Sequence, residues 1–205
     1  MVQRDVTVLE AALRDKWGIP VRLAVATSFD PRELTPGERS RLSELKSEKR
    51  QRGWLLGRAA LKGLLAGLGE KGDTSRIAFP SPRFSLTHSG EIGAAAAIPA
   101  GAARGIGVDL EMHRRMKPGI EKFFLSEDER RAVDLPMLLR LWTIKEALYK
   151  SVPFNGEIRM TELLLRDPRA WEGDASIRNR PEWNLRYASI EADEGFFSAA
   201  CSFAP

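Results

Sequence analysis

Apolar residues fall in short runs separated by turn formers, and two periods are visible along the chain. Residues 21–29 (VRLAVATSF) partly alternate and are rich in β-formers, which predicts a strand. Thr35-Pro36-Gly37-Glu38 then opens a helix: a Thr cap, Pro at the first helical position, and Glu three residues after the cap. Leu42, Leu45, Leu56, Ala60 and Leu64 carry helical sequence to about Leu68, with Gly53 as the expected break and Gly67 and Gly69 as the stop. Residues 70–83 are turn-rich, holding Gly72, Pro80 and Pro82. Strands are predicted at 84–87, 92–98 and 105–111, with a linker at 99–101. Ser126 and Glu129 form a second capping box, and helical sequence covers about 127–151 with an interruption expected at Pro136. The remainder reads as strands at 161–165, 184–190 and 195–203.

This order repeats: strand, capping box, helical stretch, short strands. Aligning Trp54 with Trp142 also aligns Ala59 with Ala147 and Lys62 with Lys150. The expected architecture is α+β, with two similar halves, residues 1–102 and 103–205, related by a pseudo-twofold axis. The second half carries the acidic motifs. The groove between two such halves is a natural place for a site.

Composition narrows the class. With 205 residues, 43% hydrophobic and 29% charged, the chain can bury an ordinary core and is not a disordered segment. The formal net charge of +4 suits an acidic partner, but the basic residues are dispersed among acids, as on a solvated surface. A nucleic-acid-binding module would need a basic face with aromatic stacking residues, and there are only two Tyr and no recognition motif. The single cysteine, Cys201, excludes an intramolecular disulfide and a cysteine-based zinc site. Arg4, Asp5 and Glu10 interrupt the apolar residues at the N-terminus, so no signal-peptide core is expected there. No run approaches the roughly 20 apolar residues of a membrane span. The expectation is a cytoplasmic protein.

Three segments could carry chemistry. In Gly105-Ile106-Gly107-Val108-Asp109-Leu110-Glu111, strand periodicity points Asp109 and Glu111 the same way. Side-by-side carboxylates repel unless a cation lies between them, and Mg²⁺ favours such oxygen donors. Taken alone, they fit an exposed strand face equally well. In Trp142-Thr143-Ile144-Lys145-Glu146-Ala147-Leu148-Tyr149-Lys150, Glu146 and Lys150 share a helix face. They could serve a metal and a phosphate, or form a plain surface ion pair. Phe84-Ser85-Leu86-Thr87-His88-Ser89-Gly90 ends a strand in small polar residues that could hold phosphate oxygens, or could simply cap a turn around a half-buried histidine. Lys46, Lys49, Arg50, Arg52, Arg58 and Lys62 form a basic cluster that reads mostly as a solvated helix face.

The order and spacing of these segments say more than each alone. Thr-His-Ser, then Gly-Val-Asp-x-Glu about twenty residues on, then Trp-x-x-Lys-Glu-Ala-x-x-Lys resembles the 4′-phosphopantetheinyl transferase superfamily, over residues 52–150. Length and paired halves resemble its Sfp-type branch, in which one chain forms a pseudodimer. The resemblance implies a monomeric enzyme that moves the phosphopantetheine arm of coenzyme A onto a serine of an apo carrier protein and releases 3′,5′-ADP. It implies Mg²⁺ held by Asp109, Glu111 and Glu146. Asp109, Glu146 and Lys150 are the implied catalytic residues, with Glu146 or a water on the metal taking the serine proton. His88 and Ser89 are implied to contact coenzyme A, with Arg52, Arg58, Lys145 and Lys150 as further candidates. The carrier partner would be acidic and come from a fatty acid, polyketide or nonribosomal peptide system. Its contact surface is expected to include residues 112–124, with Arg114, Arg115 and Lys117. Neither nucleic acid nor membrane is an expected partner. One departure stands out: members often carry Gly-Lys-Pro before the Thr-His-Ser element, and here the segment is Phe79-Pro80-Ser81-Pro82-Arg83, with Arg83 or Arg76 as replacements for the lysine. A catalytically inactive carrier-binding member of the same fold, or a nucleic-acid-binding module, is the alternative.

Overall fold

The first strand follows a helix that the sequence pattern did not announce. In the computed structural model, which describes the backbone of residues 2–204 and the side chains of residues 6–204, helix α1 spans Val2–Trp17. Its Val6, Leu9 and Leu13 are buried, at a spacing that puts them on one face. Strand β1 (Arg22–Ala26) follows, then α2 (Pro36–Ser43) and α3 (Glu48–Gly67). The expected capping box closes α2: Thr35 Oγ1 accepts from Glu38 N, and the Glu38 carboxylate accepts from Thr35 N.

The helical stretch breaks at residues 44–47 rather than at Gly53. Ser47 caps α3 by accepting from Arg50 N, and Gly53 lies inside the helix. Strands β2 (Phe84–Ser89) and β3 (Ile92–Ala97) complete an antiparallel sheet ordered β1-β3-β2. Its strands all come from residues before 102. Helix α3 packs on it so tightly that a Cβ at Gly93 would lie 2.2 Å from the Leu56 carbonyl oxygen.

The second sheet has the order β4-β8-β7-β6-β5 and is antiparallel throughout. Its strands are β4 (Gly105–Met112), β5 (Leu163–Leu165), β6 (Glu172–Ile177), β7 (Arg180–Ala192) and β8 (Gly195–Phe203). The pattern did not announce β6, whose EGDASI carries few β-formers. Ser126 and Glu129 cap α4 (Glu127–Ala132). A short 3₁₀ turn containing Pro136 separates it from α5 (Leu138–Ser151), where the interruption was expected.

Helix α5 lies on one face of this sheet over a core of Leu141, Ile144, Leu148, Leu185 and Tyr187. Each fully buried Leu or Ile there contributes roughly 1.5–3 kcal/mol. On the opposite face, Val6, Leu9 and Leu13 of α1 join residues of both sheets, among them Leu23, Ala96, Val108 and Ala199, in one shared core. Among the described residues no helix is long and apolar enough to cross a membrane.

Candidate functional site

Strands β2 and β4 lie side by side where the two sheets meet, and hydroxyl groups bridge them. Ser85 Oγ accepts from Val108 N at 3.0 Å, and Ser89 Oγ accepts from Met112 N at 3.2 Å. Both pairs have the same 23-residue offset, so the strands run in the same direction. Between them, Thr87 Oγ1 donates to Asp109 Oδ1 at 2.9 Å. Ser85, Thr87 and Ser89 alternate along β2 and so share one face.

Helix α5 crosses β4 at backbone contact. A Cβ at Gly107 would stand 1.8 Å from the Ala147 carbonyl oxygen, and one at Gly105 2.0 Å from that of Ser151. The stripe Trp142, Glu146, Lys150, each four residues from the next, therefore lies directly on the strand. Trp142 Nε1 donates to Glu111 Oε1 at 3.0 Å. Lys150 Nζ donates to Asp109 Oδ1 at 2.7 Å and to the Val108 carbonyl at 3.1 Å.

These groups share one electrostatic field. Burial raises the Asp109 pKa above the usual carboxylate range, and Glu111 adds to this; the Lys150 ammonium and Thr87 offset it only in part. Asp109 is 5% exposed, and its Oδ2 is buried with no hydrogen-bond partner. Burial also raises Glu146, with Lys150 opposing and Asp109 and Glu111 reinforcing the shift. Desolvation and the Lys150 ammonium hold the His88 imidazole below its ordinary pKa, against the pull of Asp109 and Glu111. The site thus gathers His88, Asp109, Glu111, Glu146 and Lys150 from β2, β4 and α5. A cavity of about 270 Å³, lined by Phe79, Pro80, Ser85, Leu86, Lys150 and Asn155, opens beside the ammonium.

Not every expected residue comes to this place. Lys145 is fully buried, and its ammonium is held by Glu129 Oε1 at 2.7 Å, Glu129 Oε2 at 2.8 Å and the Leu163 carbonyl. Burial, resisted by Glu129, pushes its pKa down to about 8. It faces the interior one residue before Glu146, so the expectation that it touches coenzyme A is corrected: it is a core residue. Arg52 is exposed near the start of α3 and paired with Glu91. Arg58 lies between the Trp54 and Phe79 rings, bonds the Thr74 carbonyl, and keeps a buried Nε without a partner. Arg83 pairs with Glu70 at 2.7 Å and lies over Phe84. Arg114 is turned back onto Glu111, with its Nη2 at 3.3 Å from Oε1.

Sequence reasoning assigned no role to Ser85 or Thr87 and read Trp142 only as able to face the core, against which it does pack. The Ser-x-Thr-x-Ser alternation of β2 was the available signal for the first two, since it marks a polar strand face. Nothing local marked Trp142 as the donor to Glu111.

The donor set suits a hard divalent cation: a buried, unpartnered carboxylate oxygen on Asp109, beside Glu146, whose carboxylate makes no hydrogen bond to the described residues. Glu111 is the most engaged of the three, held by Trp142 and Arg114. Among the described residues no three His, Cys, Asp or Glu side chains are gathered tightly enough to hold a metal alone. Mg²⁺ typically takes one or two carboxylates and completes its shell with water and substrate phosphate, so two facing carboxylates meet its need.

The sequence model of the 4′-phosphopantetheinyl transferase superfamily matches residues 105–200, which contain Asp109, Glu111, Glu146 and Lys150. No curated protein sequence matches the chain.

Proposed function

We propose that the protein transfers the 4′-phosphopantetheine of coenzyme A to a serine hydroxyl of an apo acyl or peptidyl carrier protein, with Mg²⁺, and releases 3′,5′-ADP. One observation carries the reading: the unpartnered Asp109 Oδ2, buried beside Glu146 and Lys150, in the segment similar to that family. In this reading Asp109 and Glu146, with Glu111, hold Mg²⁺, which when bound neutralises charge on the pyrophosphate. Lys150 donates to a phosphate oxygen as negative charge grows there. The serine oxygen forms a bond to the β-phosphorus. The bond from that phosphorus to the bridging oxygen breaks, and the oxygen leaves with 3′,5′-ADP. The serine proton passes to Glu146 or to a solvent molecule beside it; burial raises the pKa of Glu146 and so makes it a better proton acceptor than a carboxylate in water.

His88 and Ser89 contribute phosphate contacts from the other side of the seam. Arg58, with its free Nε, and the exposed Arg52 are candidates for the nucleotide end. Residues 1–102 and 103–205 act as the two halves of an Sfp-type pseudodimer, so the working unit is a cytoplasmic monomer. The carrier docks by an acidic surface against residues 112–124, where Arg115 and Lys117 complement it.

The test is intact-mass spectrometry of apo carrier proteins from fatty acid, polyketide and nonribosomal peptide systems, incubated with coenzyme A and Mg²⁺. Wild type adds one phosphopantetheine. Asp109→Ala and Glu146→Ala lose the activity by at least a factor of about 100, the scale of removing one preorganised electrostatic contact. No mass gain with any carrier overturns the reading.

A further inference from the structure

Gly53 occupies the interior of α3, where glycine is among the poorest helix formers. It is buried, and its surroundings explain its presence. A Cβ built there would lie 2.1 Å from His88 Cδ2, 2.2 Å from Nε2 and 3.0 Å from Cγ. The imidazole lies against the helix backbone where a side chain would otherwise be. Gly57, one turn on, faces Leu86 Cδ1 at 3.3 Å, so Gly53 and Gly57 form one face of α3 that receives alternate residues of β2. Lys49 is on the same face, one turn earlier, and acts electrostatically on the imidazole.

We propose that Gly53 is a positioning residue: its missing side chain forms the recess that holds the His88 imidazole against α3, ready to meet a phosphate. This rests on the reading of the site as a coenzyme A site. With Ala at position 53 the backbone has no reason to move, because the atoms in the way belong to an exposed side chain that can rotate. The ring must retreat by about 1 Å before the contact reaches 3.0 Å, and a displacement of that size at a reacting group is enough to cost up to about 10²-fold. The chain therefore keeps a weaker helix at this point for the sake of one side-chain position.

The experiment compares wild type, Gly53→Ala, His88→Ala, the double variant, and Gly63→Ala. Gly63 is in the same helix and its Cβ would meet nothing within 4 Å, so it reports helix propensity alone. Coenzyme A affinity is measured by isothermal titration, and KM and kcat in the transfer assay. Gly53→Ala and His88→Ala are each expected to weaken coenzyme A binding by roughly 10- to 100-fold, the range for a hydrogen bond to a charged group. The double variant is expected to be no worse than His88→Ala, with KM for the carrier unchanged in all. Gly63→Ala should bind like wild type. Independently of any ligand, the imidazole C–H signals of the two histidines, His88 and His113, are read by NMR: Gly53→Ala should move those of His88 and leave those of His113. Unmoved His88 signals, or losses that add in the double variant, overturn the proposal. If wild type binds no coenzyme A, the reading of the site fails and the NMR result alone decides the recess.

Discussion

Asp109 is a carboxylate placed where water cannot compensate it. It has one ammonium and one hydroxyl on Oδ1 and nothing on Oδ2. Burial and the Glu111 carboxylate therefore make its proton harder to lose than in water, and the Lys150 ammonium and Thr87 hydroxyl oppose this only in part. The pKa values of Asp109 and Glu146 are both raised. Between the ordinary values, 3.8 and 4.5, and the raised native ones, the native state holds more protons than the unfolded chain, so stability falls as pH rises through that window. Asp109→Asn should then be at least as stable as wild type at pH 7 in chelator, with a flatter pH dependence above pH 4, while transfer activity falls at least about 100-fold. Mg²⁺ at 100 times its dissociation constant should stabilise wild type by about 2.7 kcal/mol and the variant by much less. Thermal unfolding with and without Mg²⁺ at several pH values checks each point; a wild type indifferent to Mg²⁺ at pH 7 would contradict it. That Asp109 and Glu111 share a strand face, and Glu146 and Lys150 a helix face, was legible from the strand and helix periods; that the two faces meet was implied only by the resemblance of the motifs. Lys145 was misread for a related reason: membership of a motif says nothing about which helix face a residue occupies, and Lys145 lies on the core face, locked to Glu129.

At the scale of elements, both capping boxes were legible, since a cap is a local contract between a hydroxyl and a carboxylate three residues on. The break in the long helical stretch was not. Ser47 marks it by capping the start of α3, whereas Gly53, the more conspicuous breaker, serves tertiary packing. Glycines that admit a neighbouring backbone are equally hard to recognise in sequence, because the partner lies far along the chain. Gly107 is the sharpest case. Gly107→Ala would drive α5 off β4, since the obstructing atom is the Ala147 carbonyl oxygen and not a side chain that can swing away. The expected cost exceeds about 3 kcal/mol, in the range of severe overpacking, and Lys150 loses its reach to Asp109. Denaturant unfolding gives the stability change, and a near-neutral result would show that α5 can shift without penalty.

For the whole molecule, α1 is the piece the sequence concealed. Charged residues interrupt its apolar ones and mask a helical stripe. It buries Val6, Leu9 and Leu13 in the core shared by both sheets, and Lys16 pairs with Glu172 of β6 while Glu10 takes Arg22 at 2.9 Å and Leu23 N at 3.1 Å. The site lies on the other face, under α5. Removing residues 1–17 should therefore expose Val21, Leu23 and Val108, lower the melting temperature and promote association, while the transfer rate per folded molecule stays within about threefold of the full chain. Size-exclusion chromatography and an active-fraction assay separate these effects. A truncated protein with the same association state and melting point as the full chain would show that α1 is dispensable.

The seam between β2 and β4 carries one more consequence. Its parallel course brings Thr87, His88 and Ser89 level with Asp109 and Glu111, so the chemistry is written half on one sheet and half on the other. A molecule that grips His88 and Lys150 together reads both sheets at once and adds its own binding energy to their cohesion. On the proposed function the site would act as a coincidence detector: anything that parts the strands would silence recognition and chemistry in a single event.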